Sequence, residues 1–567
     1  MRYFALVADY DGTLARSGTV FGATVSALER FSASGRKLVL VTGRNLEDLL
    51  HVFPRANLFD AIVAENGGVL YNPRTKWQRT LCEAPPPAFL DELRARGVPA
   101  HHGRVIVATN VPHEQAVLET IRDLGLELHV IFNKGAVMVL PSSINKGTGL
   151  AAAMHELCMS PHNAIGVGDA ENDHAFLRMC ECAAAVANAL PSVKQHCDVV
   201  LRGEDGMGVV ELVERTLSRG LETMPIERHQ ILLGHREDGS EFCIEPHGTT
   251  VLVAGRSGSG KTRVAVAMVE RLDEQGYQFC IVDPEGDHDH DVSGAVSLGD
   301  PSHAPSIEEV RGVLGAPARS AVVSLLAVPM EERPAFFGSF VSRVQDLRAH
   351  TGRPHWIVVD EAHHLLPATW DPATVALPKE LGAMLLVTPH PSHVAPAILE
   401  SVGLVVVVGE APAEMLRELA IASGREEPTS PPPFSSADLL VWRPKLDREA
   451  FRVRLEPARA EHLRHRRKYA HGELGPDRSF YFHGPARKLN LRAQNLVLFM
   501  QIADGVDEDT WMFHLRAGDY SRWVREFIKD PQLAADVARV EADQAATAED
   551  SRARVRQAIE ERYTLPA

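Results

Sequence analysis

Two α/β layers in series, followed by a mainly helical segment, are the fold class that these 567 residues predict. Three observations carry this. Short apolar runs of strand length alternate with helical runs in two separate series, the mark of doubly wound parallel sheets. Each series has strands ending in acidic or glycine-rich motifs, where open α/β sheets bind ligands. From Arg459 onward the composition turns charged and the alternation stops. A chain of this length exceeds one core and fits about three or four domains.

Composition narrows the class. Hydrophobic content of 45% and charged content of 24% are those of ordinary globular protein. A formal charge of −16 argues against a surface built throughout to grip nucleic acid. The seven cysteines lack zinc-finger spacing and fit a reducing cytoplasm, with Cys180 and Cys182 in LRMCECAAAV read as a buried helix end. The first residues reach Asp9 and Asp11 too soon for a signal peptide, and LVVVVG (404–409) is too short to cross a bilayer. The expectation is a cytoplasmic protein without a membrane partner.

Taken in order, FALVAD, KLVLVTG, AIVAEN, NAIGVGD and CDVVL are the strands expected in residues 1–222, with TVSALERFSASG and GTGLAAAMHELC among the helices between them. The pattern changes after Tyr71 to helix, strand, helix, strand, so 72–132 is expected to be a small α+β insert within a core of 1–71 and 133–222. A second layer, 223–457, is expected from TTVLVAG, QFCIVD, SAVVSLL, HWIVVD, AMLLVTP and LVVVVG, with EEPTSPPPF (426–434) as an extended loop. The last part, 458–567, reads as helices whose Trp511, Phe513, Leu515, Trp523 and Phe527 form a small core.

DYDGT at 9–13 ends the first strand. Two aspartates flanking one residue can divide phosphoryl transfer, one attacking phosphorus and its neighbour protonating the leaving oxygen. So much negative charge calls for a hard cation, and carboxylates with phosphate and water suit Mg²⁺. Thr42 in VTGR stands ready to hydrogen-bond a phosphate oxygen, and Lys146 in SSINKGTGL supplies a fixed positive charge. GVGDAENDHAF ends another strand with Asp169 and Asp173, both suited to hold the metal.

Together these four pieces resemble the motifs of the haloacid dehalogenase (HAD) phosphatase superfamily. That resemblance implies a Rossmann-like sheet, with Asp9 as nucleophile, Asp11 as general acid/base, and Thr42 and Lys146 on the phosphate. It implies Mg²⁺ on Asp9, Asp169 and the backbone carbonyl of Asp11, steadied by Asp173. The insert resembles the cap of the Cof, sucrose-phosphate and phosphoglycolate phosphatase branch, which implies a small phosphorylated substrate. His101 and His102 lie in this insert and are read as exposed loop histidines.

GRSGSGKT (255–262) matches G-x-x-x-x-G-K-[ST] between a strand and a helix, a P-loop in which Gly255, Gly258 and Gly260 let backbone N–H groups ring the phosphates. Lys261 would bridge the β and γ oxygens of ATP, and Thr262 would offer its hydroxyl to Mg²⁺. HWIVVDEAHHLLP ends a strand in Asp360 and Glu361: the first would hold Mg²⁺ through water and the second polarise the attacking water. FCIVDPEGDH (279–288) is a third mark. These motifs, with ILLGHREDGSEFCIEPHG before them, resemble the HerA/FtsK-like ATPases.

That resemblance implies ATP as ligand, a homo-oligomer that can be a hexameric ring, and DNA as a partner of the motor members. It implies an arginine finger, with Arg417 and Arg425 in the right region, and a sensor at Thr388 or His390. The chain departs from the pattern in lacking most of the amino-terminal β-barrel and the usual sensor glutamine. In the tail, Arg464, Arg466, Arg467 and Lys468 form a basic cluster read as a solvated face. Three functions follow in order: an Mg²⁺-dependent phosphatase fused to a HerA/FtsK-like ATPase; a nucleic-acid end-processing kinase and phosphatase; and an ATP-sensing assembly module around the phosphatase.

Overall fold

The computed structural model describes residues 2–133, 135–222, 224–286, 294–369, 382–409, 411–429, 438–458, 474, 479–485, 489–528, 530–543 and 545–563. Two compact units divide it, Met1–Glu456 and Pro457–Ala567. Among the described residues no helix is long and apolar enough to cross a membrane.

The first unit contains two large sheets. In one, β1 (Ala5–Asp9), β2 (Lys37–Val41) and β3 (Ala61–Ala64) lead through a reversal into β4 (Val69–Asn72) and β5 (Trp77–Thr80). A small antiparallel sheet follows, made of β6 (His101–His102), β7 (Val107–Asn110), β8 (Leu128–Asn133) and β9 (Ala136–Pro141) in the order β6-β7-β9-β8. The chain then returns through β10 (Ala164–Gly168), β11 (Cys182–Ala185) and β12 (Val199–Val200), closing the large sheet as β12-β11-β10-β1-β2-β3-β4-β5. β1, β3, β10 and β11 are buried along their whole length, as strands covered on both faces must be. The small sheet runs past residue 132, because AVMVLP pairs with β7 and β8, while β5 remains in the large sheet. Cys180 caps the helix His174–Met179, but Cys182 opens β11, a strand whose alanine-rich sequence gave no strand signal. All seven cysteines are free.

The second sheet has eleven strands. β13 (Ile231–His235) and β14 (Glu241–Ile244) form a hairpin. The parallel part comprises β15 (Thr250–Ala254), β16 (Phe279–Asp283), β17 (Val296–Leu298), β18 (Ala321–Ser324), β19 (Trp356–Val359), β20 (Met384–Thr388) and β21 (Leu404–Val407). β22 (Asp438–Trp442) and β23 (Phe451–Leu455) extend it antiparallel, giving the order β14-β13-β23-β22-β21-β15-β20-β19-β16-β18-β17. All six strands expected here form. The segment ILLGHREDGSEFCIEPHG (231–248) forms this hairpin, which joins the sheet edge through β23.

The two sheets meet at their amino edges. Arg2, His162 and Glu181 precede β1, β10 and β11, and they approach His247, Tyr277 and His355, which precede β15, β16 and β19. His355 Nε2 lies 3.2 Å from Asn163 Oδ1, and Arg353 donates to the Cys158 carbonyl at 2.8 Å. The carboxyl edges of both sheets therefore point away from the seam.

In the second unit, β24 (Phe480–Phe482) and β25 (Leu491–Ala493) pair, and five α-helices follow between Leu496 and Tyr563. Trp511, Leu515 and Trp523 are buried in one core, with Phe527 packed against it. Phe513 is a correction: it is 40% exposed. Trp511 and Leu515 lie four apart on one helix face, and two residues turn Phe513 to the other side. The basic cluster 464–468 and most of the proline-rich loop lie outside the described residues.

Candidate active sites

At the carboxyl edge of the first sheet, Asp9 ends β1 with its side chain buried. Lys146 opens the helix Lys146–Glu156, fixed by a capping box in which Asn145 accepts from Gly147 and Thr148 while Thr148 accepts from the Asn145 N–H. Its ammonium donates to Asp9 Oδ1 and to Asp173 Oδ1, each at 2.6 Å. The other Asp173 oxygen accepts the backbone N–H groups of Asp169 and Ala170, both at 2.9 Å. Thr13 donates to Asp169 Oδ1 at 3.1 Å. Thr42, fully buried just after β2, accepts from the Arg44 N–H through its hydroxyl.

The charge here is unbalanced. Oxygens of Asp9, Asp169 and Asp173 lie within 4.8 Å of one another, and Lys146 is the cation that bridges two of them. Burial pushes the Asp9 carboxyl well above its usual range, Asp173 adds to the rise, and Lys146 opposes it. For Lys146, burial works against the ammonium, but Asp173 and Asp9 outweigh it and raise its pKa. Three buried carboxylates with hard oxygen donors and a deficit of positive charge fit a divalent cation such as Mg²⁺. Asp9, Asp169 and Asp173 would hold it.

The comparisons agree with this geometry. Residues 6–93 and 101–213 match the family model of haloacid dehalogenase-like hydrolases. Phosphoglycolate phosphatase 2 of Saccharolobus solfataricus is 31% identical over 226 residues, covering 38% of this chain and 92% of that protein. A phosphoglycolate phosphatase of Pyrobaculum aerophilum is 30% identical over 224 residues, covering 38% of this chain and 96% of its own. One from Methanothermobacter thermautotrophicus is 28% identical over 218 residues, covering 37% and 97%. The chain belongs to the haloacid dehalogenase-like hydrolases. Its N-terminal region is a phosphatase domain of that superfamily.

Several residues of the haloacid dehalogenase-like domain escaped the sequence reading. Arg44 grips both oxygens of Asp11, at 2.6 and 2.7 Å, while holding Asp48 at 2.6 Å and lying over the Tyr10 ring. Glu65 and Asn66 follow β3 with φ of 54° and 50°, the left-handed region that side chains disfavour. The buried Glu65 carboxylate accepts three backbone N–H groups of the insert, from Arg104, Val105 and Ile106, at 2.8–3.1 Å. Asn66 donates to the Met138 sulfur on β9 and accepts from Asn172. Strain of this kind is kept where it positions something. The only local signal was two polar residues at the end of an apolar strand. His101 and His102 are exposed, as expected.

The second carboxyl edge holds the other motifs. Gly258 and Gly260 have φ of 76° and 102°, which glycine alone adopts freely, and the helix Lys261–Glu274 starts at once behind them. A side chain at Gly255 would meet the Val408 carbonyl at 2.5 Å. Lys261 folds back to the Arg256 carbonyl at 3.3 Å, and Thr262 sits in the helix's first turn. Burial lowers the Lys261 pKa against the pull of Glu361, Asp360 and Glu285. β20 lies between β15 and β19, so the loop and the Asp360–Glu361 pair face each other across one strand.

That strand ends in the buried Thr388, whose hydroxyl lies 3.4 Å from His363 Nδ1, itself 3.4 Å from Glu361 Oε2. His390 donates its backbone N–H to Thr388. Asp283, from the third mark, accepts the N–H groups of Glu285 and Gly286; Asp287 and His288 lie outside the described residues. A cavity of about 470 Å³ opens beside the loop, lined by Arg256, Ser259, Val408, Glu414 and Met415 among others. Arg417 pairs with Glu427 at 3.0 Å and Arg425 donates to the Glu400 carbonyl at 2.6 Å, so both have partners within their own chain.

Proposed function

We propose that this chain is a bifunctional enzyme, an Mg²⁺-dependent phosphomonoesterase of the HAD superfamily fused to an ATP-hydrolysing HerA/FtsK-like domain. Its phosphatase core comprises 1–80 and 142–222, with 81–141 as cap, since β5 belongs to the large sheet and β9 to the small one, and 223–457 is the ATPase and 458–567 an extension. The observation that carries the reading is the bridge of Lys146 between Asp9 and Asp173, which draws the strand-end carboxylates into one charged pocket.

Asp9 attacks phosphorus and displaces the substrate alkoxide, which takes a proton from Asp11. Water then attacks the aspartyl-phosphate, passing its proton to Asp11 as phosphate leaves and Asp9 is restored. Lys146 and Thr42 hold the phosphoryl oxygens, and Asp11 carries its proton once Arg44, which grips both of its oxygens, has released it. A bound Mg²⁺ supplies charge neutralisation between phosphate and carboxylates. The cross-strand row Ala108–Met138–Ile131 on the cap is apolar, and Met138 meets Asn66 of the core. The names of the relatives favour phosphoglycolate, and the resemblance of the insert adds a sugar phosphate.

For the second layer, support comes from the glycine loop, the buried Lys261, and Asp360 with Glu361 one strand away. A glutamate beside the metal-binding aspartate serves water activation, which a kinase must avoid, so hydrolysis ranks above end-processing. Asp9→Asn is expected to abolish phosphate release from small phosphomonoesters while ATP hydrolysis continues; Lys261→Ala is expected to do the reverse. Loss of both activities in either folded variant would overturn the assignment of two separate sites. Transfer of the γ-phosphate to a 5′-hydroxyl oligonucleotide would favour end-processing instead.

A further inference from the structure

At the seam between the two sheets, Glu181 is completely buried, and its oxygens meet donors from both sides. Oε1 accepts from Arg2 at 2.7 Å and lies 3.1 Å from His247 Nε2. Oε2 meets His162 Nδ1 at 2.9 Å and accepts from the Tyr277 hydroxyl at 2.8 Å. His162 directs its other ring nitrogen to the Gln275 carbonyl at 2.7 Å and stacks on Tyr277 with centroids 3.8 Å apart. His162, Glu181 and His229 lie close enough together to hold a metal ion. Four polar neighbours already fill the lone-pair sites of the Glu181 carboxylate, however, so this is a hydrogen-bonded hub.

The position of its members in the chain gives the hub a use. Gln275 caps the helix Lys261–Glu274, which begins at the glycine-rich loop, and Tyr277 follows two residues later. Glu181 follows the helix His174–Met179, whose preceding residue is Asp173 of the phosphatase pocket. Each phosphate-handling loop is thus joined to the hub by one helix, of 14 residues on one side and 6 on the other. At 1.5 Å per residue these span about 21 and about 9 Å. A helix moves as a unit along its axis, and buried directional hydrogen bonds tolerate little displacement.

We infer that the Glu181 hub couples the two sites: a nucleoside triphosphate held at residues 255–262 alters turnover at Asp9 through the helix Lys261–Glu274, the bonds from Gln275 and Tyr277 to His162 and Glu181, and the helix His174–Met179. This rests on the proposed nucleotide site. A physical route becomes allosteric only when one ligand changes the response at the other site.

The test uses the full chain, with p-nitrophenyl phosphate as phosphatase substrate and a non-hydrolysable ATP analogue as effector. Wild type is expected to change kcat or KM by two-fold or more when the analogue saturates. Tyr277→Phe and Glu181→Gln are expected to keep basal turnover and analogue binding but lose that response. Tyr277→Phe removes one hydroxyl and guards against loss of the fold, which a thermal melt checks. Analogue binding without any effect on wild-type turnover overturns the coupling, as does an undiminished response in folded Tyr277→Phe and Glu181→Gln. If calorimetry detects no binding to wild type, the nucleotide-site reading itself fails, and the coupling falls with it.

Discussion

Lys146 shows how much one side chain can carry. Its ammonium is the counter-charge between two buried aspartates, so Lys146→Met leaves Asp9 and Asp173 facing each other without it. Breaking a buried pair costs about 3–5 kcal/mol. Lys146→Met is therefore expected to lower Tm at pH 7 and to cut p-nitrophenyl phosphate turnover at least a thousand-fold; an unchanged Tm would contradict the buried-pair account. Asp9, Asp169, Asp173 and Lys146 were legible because each stands at a strand or helix end, marked by its neighbours in sequence. Arg44 closes VTGR, and nothing local in the sequence says that its guanidinium reaches Asp11, 33 residues away. Glu181 was invisible for the same reason: its partners are spread from Arg2 to Tyr277.

Among elements, the Glu65 carboxylate ties core to cap, beside the contact of Asn66 with Met138. Glu65→Ala leaves the N–H groups of Arg104, Val105 and Ile106 without their acceptor. At about 1–3 kcal/mol for each buried donor, the loop before β7 should loosen. Hydrogen exchange at residues 104–106 is expected to accelerate and KM to rise; unchanged exchange would mean that another element carries the cap.

The seam has its own pH signature. Burial holds His229 down to about 4, against the opposing influence of Glu181. Between pH 6.5 and 4 the unfolded chain binds a proton there that the folded chain refuses, so stability falls as pH falls through that window. A shift of this size amounts to at most about 3 kcal/mol. Melting curves from pH 7 to pH 4 should steepen in wild type relative to His229→Gln, and parallel curves would remove His229 from the account. The strands expected in both layers were legible from their apolar runs, whereas β4, β5, β11, β17, β22 and β23 were not. In β11 alanine carries no strand preference, and burial alone selects it.

As a whole, the molecule consists of two units, and the second has its own aromatic core around Phe499, Trp511, Tyr520 and Trp523. A fragment of residues 1–456 is accordingly expected to fold and retain p-nitrophenyl phosphate hydrolysis within two-fold of the full chain. A fragment that aggregates or lacks a cooperative melt would show that the first unit depends on the second. The order of the large sheets could not be read from sequence, since parallel strands carry no mark of their neighbours. The meeting of the sheets by their amino edges was equally hidden, being made by histidines, an arginine and a glutamate that read singly as surface residues. That arrangement bears on kinetics. With the two carboxyl edges facing outward, a phosphomonoester at Asp9 and, on the function proposed above, ATP at residues 255–262 would have separate entrances, and neither would have to wait for the other to depart. Rising ATP should therefore leave p-nitrophenyl phosphate hydrolysis free of competitive inhibition, and a competitive pattern would mean that the two ligands share one mouth.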